Sequence, residues 1–142
     1  MEDRSTLSFG ALDPDRTNVT GDQEVLMPGY VDGFVIPIPK KQVKAYLAMA
    51  KLGGRVWKDH GALGYRECIA DDLKGFGQGF KKMAGLKAGE TVVFSFILYR
   101  SRAHRDRVNA KVMKDPRMAG MTTMPFDVKR MAMAGFEVLL GW

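Results

Sequence analysis

The stretch from Thr91 to Tyr99 most limits what this chain can become. Both of its alternating sets are apolar, with Val92, Phe94, Phe96 and Leu98 on one side and Val93, Ile97 and Tyr99 on the other. Successive side chains of a strand point to opposite faces, so a sheet built around this segment needs cover on both. Helical periodicity elsewhere supplies one cover. From Lys40 to His60, Val43, Leu47, Ala50, Gly54 and Trp57 recur at intervals of three and four, and Gly61 supplies a stop. Ser101 can cap a second helix that Asp115-Pro116 ends.

Three more segments read as strands: Tyr30 to Ile38, closed by Pro37 and Pro39; Leu63 to Ala70; and Met131 to Leu140. The order is β-α-β-β-α-β, which is the α+β, ferredoxin-like plan. It predicts a four-stranded antiparallel sheet with both helices on one face. The other face then lacks cover, and the simplest remedy is a second copy of the sheet, so a homodimer is expected.

At 142 residues, 46% hydrophobic and 27% charged, the chain suits one soluble domain, placed at residues 29–142. Thr91–Tyr99 is the longest apolar run, far short of the ~20 residues of a membrane span. No basic region followed by an apolar one opens the sequence, and Cys68 stands alone, so a reducing cytoplasmic setting is expected. Residues 1–28 read as an acidic, poorly ordered extension, with Met27 as a candidate translation start. Residues 1–26 carry six acidic and two basic side chains, whereas residues 27–142 carry ten acidic and twenty basic ones. A basic body attracts anions.

Several residues carry candidate chemistry. His60 ends the first helix three residues after Trp57; antiparallel helices would bring His104 toward the same end and form one end of a pocket. Glu67 shares a strand face with Leu63, Tyr65 and Ile69, where a carboxylate needs a partner; an arginine is expected, with a role as base the alternative. Lys40, Lys44, Arg102 and Arg105 crowd helix N-termini, where the dipole disfavours cations and a bound anion would relieve them. Cys68 reads as a buried, inert thiol. Asp71–Glu90 and Arg117–Arg130 are long loops, the second rich in methionine, which fills core gaps or lines adaptable surfaces. Two histidines without ligand spacing give no metal site, and Gly75-x-Gly77-x-Gly79 is no dinucleotide fingerprint, so no cofactor is expected.

The segments YVDGF (30–34), ECIADD (67–72), VVFSFILYRSRAHRDRVNAKVMKDPRM (92–118) and MPFDVKRM…GFE (124–137) resemble the YbaA-like family of uncharacterised bacterial proteins. The resemblance spans about residues 29–140, with Ala134-Gly135-Phe136 where Gly-Gly-Phe is expected. The family is similar to the dimeric α/β-barrel superfamily, most of whose members hold a small, often aromatic ligand between sheet and helices. The resemblance therefore implies a small-molecule barrel, monooxygenase- or isomerase-like, without a bound cofactor. Its apolar walls would be Trp57, Phe94, Phe96, Met131 and Met133. Its polar groups would be His60, Glu67 and Asn109, with Arg66 for an anionic substituent. The competing expectation is an RNA or polyanion binder using Lys40, Lys44, Lys51, Arg55, Lys58, Arg102 and Arg105. Against it, the aromatics fall mostly on strand and core positions, so no stacking platform interleaved with basic residues is evident.

Overall fold

A computed structural model describes residues 29–142, and the readings of residues 1–28 lie outside it. The chain runs β1 (Tyr30–Pro39), α1 (Val43–Asp59), β2 (Gly64–Ile69), α2 (Phe80–Met83), β3 (Glu90–Tyr99), α3 (Arg102–Met113) and β4 (Ala132–Glu137). Single turns of 3-10 helix occupy Lys40–Gln42, Pro116–Met118 and Val128–Arg130. The strands form one antiparallel sheet in the order β2-β3-β1-β4.

Register sorts the side chains. Tyr30 pairs with Tyr99, Asp32 with Ile97, Phe34 with Ser95 and Ile36 with Val93; Tyr65 pairs with Ile97 and Glu67 with Ser95. These residues share the face that α1 and α3 cover. The opposite face carries Val31, Gly33 and Val35 opposite Leu98, Phe96 and Phe94, flanked by Arg66 and Cys68 on β2 and by Ala132, Ala134 and Phe136 on β4. On that face Phe94 is 45% and Phe136 58% exposed.

The expected strand ends hold in β1 and move in β4. Pro39 ends β1 as expected, but Pro37 does not; it lies within the strand, paired with Val92. Pairing with β4 covers only Tyr30–Val35, so beyond Val35 β1 is an edge, where proline is tolerated. The last strand stops at Glu137 rather than Leu140, because Glu137 already faces Tyr30, the first residue of its partner.

The buried stripe of α1 is rotated from the expected one. Tyr46, Ala50, Gly53 and Val56 are buried, while Leu47 is 47% exposed. A phenol can turn inward where its hydroxyl finds a partner, and Tyr46 finds one in Glu67. At the start of α3 the Ser101 hydroxyl accepts from the His104 amide at 3.0 Å, as a capping residue should. The core has two parts. Ile36, Ile38, Tyr46, Ala50 and Val93 form one; Val56, Ile97, Tyr99, Val108 and Val112 form the other. Each fully buried aliphatic residue contributes roughly 1.5–3 kcal/mol.

Candidate functional site

Between the two core clusters, the layer between sheet and helices contains a cavity of about 210 Å³. Its floor is Phe34, Ile36, Ser95 and Ile97 of the sheet. Met49, Ala50, Gly53 and Trp57 of α1 form one wall, and Met118, Met121, Met124, Phe126 and Met131 of the loop before β4 close it. Phe126 sits edge-on to Tyr46, with ring centroids 5.9 Å apart. The methionines of this loop are thus a flexible apolar lining.

One carboxylate enters this lining. Glu67 accepts from the Tyr46 hydroxyl at 2.5 Å and from the Tyr65 hydroxyl at 2.8 Å. Burial, reinforced by the Glu67 charge, pushes both phenols well above their ordinary values, so each keeps its proton and donates. The expected arginine partner is absent: among the described residues Glu67 is bound by two tyrosines and no ion pair. The Tyr65 ring reaches it by lying against α1, where a Cβ on Gly54 would come within 3.0 Å of the ring. Glycine there is what lets the phenol pass.

A second polar cluster lies nearer α3. Asp32, 1% exposed, accepts from Arg105 at 2.7 Å and from Asn109 at 3.4 Å. Asn109 Oδ1 in turn accepts from Trp57 Nε1 at 3.0 Å and from the Tyr99 hydroxyl at 3.2 Å. Arg105 also stacks over the Tyr30 ring, 5.0 Å from its centroid. Burial opposes the Arg105 charge, but the Asp32 carboxylate, with Tyr30 and Asp106, together outweighs this and holds the guanidinium above its ordinary value. Burial and the Asp32 charge likewise push the Tyr99 phenol up.

The candidate residues therefore separate. Trp57, Glu67 and Met131 come together in the cavity, and Phe96 borders it. Phe96 nevertheless shares the opposite sheet face with Phe94, so those two rings are not cavity walls: a strand cannot aim Ser95 and Ile97 inward and their immediate neighbours inward too. Met133 is on β4, the edge strand, and is 45% exposed. Arg66 and Cys68 lie on the open face, and Cys68 is an exposed thiol rather than a buried one. Asn109 is held by the Asp32 network rather than facing a ligand.

His60 and His104 do not share a pocket end with Trp57. His60 Nε2 lies 2.8 Å from Asp115, whose carboxyl Arg117 above all, with His60, holds well below the usual range. His104 is buried against Tyr99, and its Nδ1 accepts from the Arg100 amide. Of the candidate anion residues, Lys40, Lys44 and Arg102 are exposed, while Arg105 is committed to Asp32; a carboxylate, not a bound anion, relieves its place in the first turn. Among the described residues no three His, Cys, Asp or Glu side chains gather to hold a metal, and no helix is long and apolar enough to cross a membrane.

Sequence reasoning passed over Tyr46, Asp32 and Tyr30. The available signal was an aspartate flanked by Val31 and Gly33 in an otherwise apolar strand, which demands a buried partner.

Fold and site together define an α+β sheet protein with an apolar interlayer cavity and a single carboxylate within it. The chain belongs to the family described as "Protein of unknown function (DUF1428)", whose pattern matches residues 29–128. It is 42% identical over 113 residues to "Uncharacterized protein YbaA" of Escherichia coli (strain K12), a match covering 78% of this chain and 97% of that protein. The YbaA protein of Shigella flexneri matches to the same extent. Among solved structures, "De novo designed protein Foldit4" covers 76% of this chain and 96% of its own at 8% identity and a TM-score of 0.39, a likeness on which nothing is built.

Proposed function

We propose that this protein binds a small apolar or aromatic metabolite in the cavity between sheet and helices. The observation that carries this reading is the cavity itself: apolar on nearly every side, with Glu67 as its polar anchor. Ligand sites are typically built this way, from a hydrophobic lining and a few placed polar groups. Its size fits a ring with a short substituent, since about 150 Å³ is enough to hold benzene. The arrangement supports binding before it supports any monooxygenase- or isomerase-like reaction. Both Glu67 oxygens already accept hydrogen bonds, so no unengaged base faces the cavity.

Supporting the same barrel reading, the strand order β2-β3-β1-β4 with helices on one side fits a ferredoxin-like plan. The uncovered face, with Phe94 and Phe136 half exposed, fits cover by a second copy. Such a homodimer requires a two-chain mass in solution; a stable monomer would remove it.

The test uses methyl-labelled methionine and indole or p-cresol as probes. Binding should shift the methyl resonances of Met49, Met118, Met121, Met124 and Met131, and leave Met113 and Met133 in place. Saturating probe without shifts, or shifts spread over exposed methionines, would overturn the reading.

A second reading has one observation of its own. Lys51, Arg55 and Lys58 project from one side of α1 and, with Arg66, line an outer groove of about 530 Å³. A polyanion such as RNA could follow that side of the molecule. Retention on heparin that falls steeply with salt would favour it.

A further inference from the structure

We infer that the cavity's ligand is an amine that is protonated at neutral pH, carried on an apolar body about one ring in size. This deepens, and rests on, the cavity reading above.

The first observation is a missing cation. Three other carboxylates in the layer and its rim have one: Asp32 has Arg105, Glu90 has Arg130, and Asp115 has Arg117. Glu67 meets no ion pair among the described residues; its bonds come from Tyr46 and Tyr65. Glu67 is half-buried, and although Lys51, Arg55, Lys58 and Arg66 line an outer groove that it also borders, none of them pairs with it; a carboxylate partly withdrawn from water gains from a charge partner as well as hydrogen bonds. The second observation is a proton deficit. The Tyr65 hydroxyl has one proton but lies within reach of two acceptors, Glu67 Oε1 at 2.8 Å and the Ala50 carbonyl at 3.1 Å. An ammonium brings three donors and no acceptor, which suits a place with acceptors to spare.

The third observation is the lining. Phe34, Tyr46, Trp57, Tyr65 and Phe126 put five aromatic rings around a space of about 210 Å³. Ring faces attract cations, more strongly where water is excluded. The basic body opposes a cationic ligand at long range. Lys51, Arg55, Lys58 and Arg66, which share the outer groove with Glu67, are exposed, so water and salt weaken their repulsion, whereas the Glu67 carboxylate acts at contact distance.

The experiment compares benzylamine with benzyl alcohol, which share size and shape and differ in charge, by titration calorimetry and methionine-methyl shifts on the full chain. Benzylamine should bind at least about tenfold more tightly, a difference of ~1.4 kcal/mol. Glu67→Gln should bring the two within about twofold of each other, the change expected when charge attraction is removed. Equal or tighter binding of benzyl alcohol to the wild-type protein overturns the charge assignment but leaves the cavity intact as a neutral-ligand site. So does a preference that survives Glu67→Gln. If neither probe moves the cavity methyls, the binding reading itself fails. The wild-type comparison decides the matter alone should Glu67→Gln not fold.

Discussion

Asp32 and Glu67 sit on the same sheet face, two strands apart, under the same pair of helices. Their surroundings differ in kind. Asp32 is closed in by Arg105, Asn109 and, through Asn109, by Trp57 and Tyr99, and its negative charge is matched by a guanidinium. Glu67 has two phenols and an unfilled apolar space beside it. The first is what a buried carboxylate looks like when its work is to hold strand to helix. The second is a carboxylate whose surroundings the chain itself does not complete. That contrast, rather than the presence of an acidic residue, is what supports Glu67 as the anchor of the proposed site.

Matched isosteric substitutions should expose the difference. Asp32→Asn removes the buried partner of Arg105 and leaves it only the exposed Asp106, so unfolding in urea should show a loss of about 3 kcal/mol. A loss comparable to that of an ordinary surface substitution would show the network to be ornamental. Next in size is Gly135→Ala. A Cβ there would fall 2.8 Å from Tyr30 Cε1 and closer still to its hydroxyl, forcing the ring off Arg105. Overpacking of this kind costs about 1–3 kcal/mol. Ala134, on the opposite face, should revert to Gly with little effect, and the two variants measured together separate the faces. Glu67→Gln should cost less than about 1 kcal/mol, because weaker hydrogen bonds are balanced by no longer burying a charge without a cation. A loss as large as that of Asp32→Asn would make Glu67 a structural residue and erase the comparison.

Much of the architecture was legible because each strand carries its own period. Alternation in Thr91–Tyr99 placed both faces of β3 correctly, and Ser101 and Gly61 marked helix ends through local chemistry. The last strand was overextended because Val138 and Leu140 continue the apolar alternation after the partner strand has run out, and a ladder's length depends on its neighbour. The site was less legible. Glu67, Trp57 and Met131, named as candidates from the sequence, do line the cavity, but Phe94 and Phe96 were drawn in by hydrophobicity alone, when their parity with Gly33 and Val35 assigns them to the other face. Asn109 and Arg105 are polar groups on α3 whose partner, Asp32, lies more than seventy residues away. Local pattern carries no information on such a pairing. Tyr46 was missed because a tyrosine is apolar ring and polar tip at once, and only the fold shows that Glu67 is there to receive the tip.

The smallest effect is expected in acid, at the loop that closes the cavity. Arg130, one residue before Met131, donates to both Glu90 oxygens and to the Gly85 carbonyl, tying the loop to the start of β3. These bonds from Arg130, with one from the Lys87 amide, hold the Glu90 carboxyl at about 2, against an ordinary 4.5. A carboxyl lowered by folding adds stability above its unfolded value, and that stability is lost as pH falls toward the folded one. Thermal melts from pH 7 downward should therefore show a loss between about 4.5 and 2 that Glu90→Gln lacks. Asp115 is lowered as well, so the informative quantity is the difference between the wild-type and Glu90→Gln curves. If the two run parallel through that interval, the Arg130–Glu90 pair does not fasten the loop, and the cavity's closure must be sought in its methionines and Phe126 instead. If they diverge, ligand affinity should weaken over the same interval, because the fastening that acid releases lies beside the cavity lining.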